Sequence, residues 1–133
     1  MSLILPDPTA SNAKSEDFAV AYRVQYGTVS FLITSDLTVN EEQALIDAHQ
    51  DLRSAVLWLP THGNDNANAQ PFLNAVGPQV VVIPVDTGNR AAQPPDTTLK
   101  RLGTIPIFRT DQQGTLAFES DGTTLWVRPE RQS

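Results

Sequence analysis

Apolar residues alternate with smaller or polar ones from Phe18 through Val20, Tyr22, Val24 and Tyr26, a period of two that predicts a strand with one buried face. Gly27-Thr28 breaks the pattern. Val29 to Thr34 then resumes it as a more uniformly apolar run, so the pair reads as a hairpin ending at Ser35-Asp36. Beyond it the period lengthens. Leu45, Ala48 and Leu52 recur at helical spacing, Thr38 and Glu41 stand in the capping-box relation, and Glu41-Glu42 put negative charge where a helix N-terminus favours it. A one-sided helix over 39–52 follows.

Ser54 to Leu59 reads as a short buried strand stopped by Pro60, and Thr61 to Asn68 as a loop rich in turn formers. A helix around Pro71 to Val76 is closed by Gly77-Pro78, and Val80 to Val85 is another buried strand. After the loop Asp86 to Arg90, Pro94-Pro95 opens a short helix over Asp96 to Leu102, which Gly103 closes. Three strands complete the chain at about 105–110, 115–119 and 124–128, with Asp111 to Gly114 and Asp121-Gly122 as hairpin turns. The order β-β-α-β-α-β-α-β-β-β predicts an α/β fold in one domain over 1–133, with 1–17 as an irregular lead-in. Such a layer collects chemistry at loops leaving strand ends. Three qualify, beginning at Asp36, His62 and Asn89.

Composition narrows what those loops can do. The 133 residues include no cysteine, so a disulfide framework and a thiolate metal site are both excluded, and a metal would need His, Asp or Glu. The longest apolar runs fall far short of the roughly 20 residues that span a bilayer, and the first residues lack the basic and apolar regions of a signal peptide. The net charge is −6. Residues 1–85 hold nine acids against three bases, and 86–133 six of each. Such a surface repels phosphate backbones, which disfavours strong unaided nucleic-acid binding, although Lys100, Arg101 and Arg109 remain local basic points.

The strand-end loops carry Asn12-Ala-Lys-Ser15, Leu32-Ile-Thr-Ser35-Asp36, Leu59-Pro60-Thr61-His62-Gly63, Asn89-Arg-Ala-Ala-Gln93-Pro94 and Arg109-Thr-Asp-Gln-Gln-Gly114. In order and spacing they resemble the Asn-x-x-Ser, Leu-x-Gly-Asp, Pro-His-His-Gly, Asn-x-Tyr-Gly-His-Pro and Arg-Thr-Asp-x-x-Gly motifs in the C-terminal half of the metallo-β-lactamase-like domain of ComEC-type competence proteins. The resemblance implies half of an αββα sandwich, a mixed sheet with helices, over 18–133. It also implies a soluble, extracytoplasmic domain of a membrane protein, whereas the residues alone leave the compartment open.

By the same resemblance, Asp36 would be a bridging carboxylate and His62 an imidazole ligand of a zinc or manganese centre that generates hydroxide for attack on phosphodiesters. Ser35 replaces the motif's Gly, Thr61 its first His, and Gln93 the His before Pro. The only histidines are His49 and His62, so the family's His-x-His-x-Asp-His cluster has no counterpart. A catalytic zinc usually takes about three protein ligands, and two are supplied. The expectation is a degenerate site holding no cofactor in this chain, with Ser35, Thr61, Asn89, Gln93 and Arg109 as cleft-lining candidates.

Each position also has an ordinary reading. Asp36 suits a turn or cap, His62 a solvated loop, His49 a helix surface, Asn89 and Gln93 a loop before a helix, and Arg109 a strand end. Trp58 and Trp126 read as core or interface anchors, since no basic stripe accompanies them. Two functions follow. The chain is the C-terminal part of a competence-related metal-dependent phosphodiesterase, inactive alone, or it is a non-catalytic binding module on the same scaffold. A half-fold exposes an edge and an apolar face, so a missing N-terminal half or a second copy is the expected partner.

Overall fold

The computed structural model describes residues 2–4, 21–86, 88 and 94–132. Strands β1 (Ser2–Ile4), β2 (Ala21–Tyr26), β3 (Val29–Thr34), β4 (Val56–Trp58), β5 (Val80–Ile83) and β6 (Ile107–Arg109) form one sheet in sequence order. The first two pairings are antiparallel and the other three parallel, so the sheet is mixed. Helices α1 (Val39–Asp47), α2 (Gln70–Val76) and α3 (Asp96–Leu102) follow β3, β4 and β5 respectively. Because the parallel strands advance in one direction, crossovers of one hand put all three helices on the same face. The result is an α/β layer covered by helices on one side, the arrangement of half an αββα sandwich.

The covered face holds the core. Leu32, Leu57 and Val81 stand opposite one another across β3, β4 and β5, each fully buried. They pack with Leu45 of α1, Phe72 and Val76 of α2, and Leu102 of α3. Burying each such side chain stabilises the fold by about 1.5–3 kcal/mol before entropy is counted. The side chains between them point to the opposite face, where Tyr22, Ile33, Trp58, Val82 and Phe108 make one continuous cross-strand row.

The predicted capping box is present, with the Thr38 hydroxyl accepting from Glu41 N and the Glu41 carboxylate from Thr38 N. Gly77 ends α2 in the left-handed conformation. Three expectations are corrected. The helix expected over 39–52 ends at Asp47, because His49 turns left-handed (φ 54°) and a Schellman pair closes there, Gln50 N to Leu45 O and His49 N to Ile46 O. His49 itself is exposed, as its surface reading requires. The lead-in contains β1, which adds an antiparallel edge to β2.

Asp111 to Gly114 is not a hairpin turn. Thr110–Gln113 form a single helical turn, α4, the Gln113 side chain accepting from Arg109 N and Gly114 at φ 70° redirecting the chain. Strands β7 (Leu116–Ser120) and β8 (Leu125–Pro129) therefore form a separate antiparallel hairpin. Asp121 closes its tip by accepting from Thr123 N and Thr124 N. The hairpin is tied to β2 and β3 at their turn, where Thr28 donates to Gly122 O through its amide (2.7 Å) and its hydroxyl (3.1 Å), and on the face opposite the helices, where Phe118 meets Phe31 edge-on at 5.9 Å. Among the described residues, no helix is long and apolar enough to cross a membrane.

Candidate functional site at the carboxyl edge

Ile33, Trp58 and Val82 are in register, so the chain leaves β3, β4 and β5 along one edge of the sheet. The emerging loops are tied each to the next. Thr34 Oγ1 donates to Trp58 O (2.6 Å) and Thr61 Oγ1 to Leu37 O (2.8 Å), joining the first loop to the second. His62 Nδ1 lies 3.0 Å from Pro84 O, joining the second to the third. The Thr110 hydroxyl donates to Val85 O and accepts from Val85 N, joining the third to the start of α4, directly after β6. Three of these ties use a threonine hydroxyl bound to backbone, which fixes the loops without depending on exposed charge.

Ser35 and Asp36 are exposed at the first loop, and Thr61 and His62 sit in a tight turn over Pro60–Gly63 at the second. A carbonyl oxygen can only accept, so the contact with Pro84 puts the neutral imidazole's proton on Nδ1 and leaves the Nε2 lone pair free. That is how histidine ligands are usually oriented. Thr61 and His62 adopt φ values of 52° and 51°. Left-handed backbone at non-glycine residues costs about 1–2 kcal/mol apiece, and it persists here because both side chains are hydrogen-bonded.

The second loop is also held from below. Glu42 of α1 is 1% exposed and accepts from the backbone amides of Asn68 and Ala69, the residues that lead into α2. Asn68, fully buried with φ 64°, donates through Nδ2 to Pro60 O (3.2 Å) and Asn64 O (3.0 Å), so its side chain brackets the turn carrying Thr61 and His62. Its Oδ1 is the buried side-chain atom without a hydrogen-bond partner among the described residues. Burial raises the Glu42 carboxyl to about 6, against the lowering effect of the two amides and of Arg101. Arg101 of α3 donates to Asn68 O and faces Asp65, which also accepts from Thr97 and Thr98.

The structure thus brings Ser35, Asp36, Thr61 and His62 to one edge. Asn89 and Gln93 lie outside the described residues. Arg109 is at the end of the adjacent β6, where its guanidinium grips Asp111 in a bidentate pair (3.0 and 2.7 Å) with both side chains largely buried. Among the described residues no three His, Asp or Glu side chains are grouped to hold a metal. Asp36 and His62 are apt donors by chemistry, but they do not make a metal site by themselves.

Sequence reasoning missed Glu42, Asn68 and Thr110. Glu42 had a signal: it lies one turn before Leu45 and shares that residue's buried stripe, which is an odd place for a carboxylate with only a helix dipole to serve.

Comparison with known proteins agrees with the resemblance to competence proteins. The chain is 27% identical over 115 residues to ComE operon protein 3 of Bacillus subtilis, covering 85% of this chain, and 33% identical over 99 residues to competence protein ComA of Neisseria gonorrhoeae, covering 72%. The chain is a homologue of one segment of competence proteins. It spans 14% of the length of each of these two relatives. It is also 27% identical over 73 residues to the uncharacterized protein YcaI of Escherichia coli. No protein-family model matches the chain, and no solved structure matches it.

Proposed function

We propose that this chain is one layer of a DNA-uptake protein's metal-dependent phosphodiesterase domain, inactive by itself. The observation that carries the reading is the similarity to two competence proteins over most of this chain but a small part of theirs. Asp36 and His62 support it, since they leave neighbouring parallel strands at the same edge and His62 presents Nε2 outward. Zinc or manganese would need further donors from another segment, and no hydrolytic step is assigned to these two residues alone. The test is titration of the chain with zinc and with manganese, alongside hydrolysis of DNA and of a bis-aryl phosphodiester. Weak binding and no turnover are expected. Two tightly bound equivalents with cleavage, both lost in Asp36→Ala, would overturn the inactivity.

A second reading, a non-catalytic assembly module, is favoured by the uncovered sheet face. Tyr22, Ile33 and Trp58 are neighbours in the cross-strand row and remain 42%, 44% and 37% exposed. Ile33 and Trp58 also line an apolar groove of about 400 Å³ that runs to Leu116 and Phe118 of the hairpin. Exposed apolar surface of this kind marks an interaction site. Sedimentation equilibrium of the chain and of Ile33→Ser decides it. A dimer that the substitution dissociates supports self-assembly, and a strict monomer counts against it.

A further inference from the structure

We infer that Glu42 is a positioning residue for the candidate site, setting the conformation of the Thr61-His62 turn through Asn68. The inference rests on the reading of the carboxyl edge as the working face, and it adds a means of control to that face. The path is continuous and every link is a hydrogen bond. The Glu42 carboxylate accepts from Asn68 N and, at 3.0 Å, from Ala69 N. The Asn68 side chain then donates to the carbonyls of Pro60 and Asn64, the residues on either side of Thr61-His62-Gly63. The turn so bracketed holds two left-handed non-glycine residues, a conformation that relaxes unless its surroundings determine it.

An ionised carboxylate accepts from both amides at once. Its protonated form keeps one good acceptor oxygen and turns the other into a hydroxyl, so one amide loses its partner. Burial brings this change into the mildly acidic range. The charged groups facing Glu42 are Glu41 on its own helix and Arg101 from α3. Asp65 in the loop is engaged by Arg101, Thr97 and Thr98, and α2 contributes no charge. His62 lies inside the turn whose amides are observed, so it is substituted to leave Glu42 as the group under test.

The test is amide ¹H–¹⁵N spectroscopy of the chain from pH 7.5 to 4.5 in a His62→Gln background. The amides of Asn68, Ala69 and residues 61–64 are expected to shift together with one midpoint, and Glu42→Gln to abolish that transition. A transition that survives Glu42→Gln would overturn the inference, as would Asn68 and Ala69 titrating while 61–64 stay still. Asn68→Gly provides a second arm should Glu42→Gln not fold. It keeps the amide and tolerates the positive φ while removing the Nδ2 bonds, so 68 and 69 should still titrate and 61–64 should not. Coupling that persists in Asn68→Gly refutes the relay. No metal or substrate enters the measurement, so its failure leaves the phosphodiesterase reading standing, and absence of metal binding leaves this inference standing.

Discussion

Among the described residues the β7–β8 hairpin is the element laid on the face opposite the helices, and its attachment can be tested at Gly27. A Cβ built there would lie 2.1 Å from Gly122 O and 2.7 Å from Gly122 C, both backbone atoms that cannot swing aside. Gly27→Ala must therefore push the hairpin tip away, breaking the two Thr28 bonds to Gly122 O and loosening the Phe31–Phe118 contact. Each hydrogen bond contributes about 1 kcal/mol and the aromatic pair about 1 kcal/mol. The positive φ of 60° adds about 1–2 kcal/mol, for a total of about 4–5 kcal/mol.

Gly77→Ala is the control. It has a similar φ of 56°, but the nearest atoms to its Cβ are 3.7 and 3.9 Å away, so only the backbone cost of about 1–2 kcal/mol applies. Urea unfolding followed by far-UV circular dichroism gives both values. Trp126 fluorescence in a Trp58→Phe background reports the hairpin directly, because Trp126 lies on β8. Equal losses for the two alanine variants would show that the hairpin is not seated on β2 and β3, and the described attachment at Thr28 and Phe31 would fall.

Three further outcomes follow from the packing. The Glu42 carboxyl is raised to about 6 in the folded chain from an ordinary 4.5, so its protonated form favours folding. That contribution is complete below about pH 4.5 and is lost as pH rises through about 6. Chemical denaturation should show the chain gaining about 2 kcal/mol relative to Glu42→Gln between pH 7 and 4.5, and the opposite slope would refute the assignment. Phe72→Ala removes the largest fully buried side chain and should cost about 3–5 kcal/mol by urea titration. Thr110→Val keeps shape but removes both bonds to Val85. It leaves a largely buried amide unpaired and should lower stability by about 1–3 kcal/mol, which thermal unfolding would read as a reduced Tm.

Periodicity carried much of the architecture because the elements it marks are those with one buried side. The β2–β3 hairpin, α1's start, and the strands β4 and β5 show it plainly. The misjudged boundaries are places where an uncommon residue does a job usually given to another. His49 takes the left-handed position at the end of α1 that glycine normally holds, so the helix looked longer than it is. Arg109 to Gly114 has the composition of a turn, but the Gln113 side chain satisfies Arg109 N and converts it to a helical turn that sends the chain to another sheet. At the site, the residue types at strand ends were legible, and the strand register gathers four of them. Glu42 and Asn68 were not legible as loop supports, since they lie 26 residues apart in sequence and meet only after α1 and α2 pack.

The same topology that builds the edge leaves the open face beside it. Strands β3, β4 and β5 add in order with their helices on one side, so among the described residues the opposite side receives the hairpin alone. On that side the last exposed apolar residues of β3 and β4 are Ile33 and Trp58, three and four residues before Asp36 and His62 respectively. A layer docked on the face, as proposed, would therefore end close to Asp36 and His62, and the desolvation driving its docking would lower the local dielectric around them. On the proposed reading, completion of a donor set and burial of the apolar row would be parts of a single association. On that reading the chain alone would lack both the further donors and the cover for its apolar row, since each would come with the same docked layer.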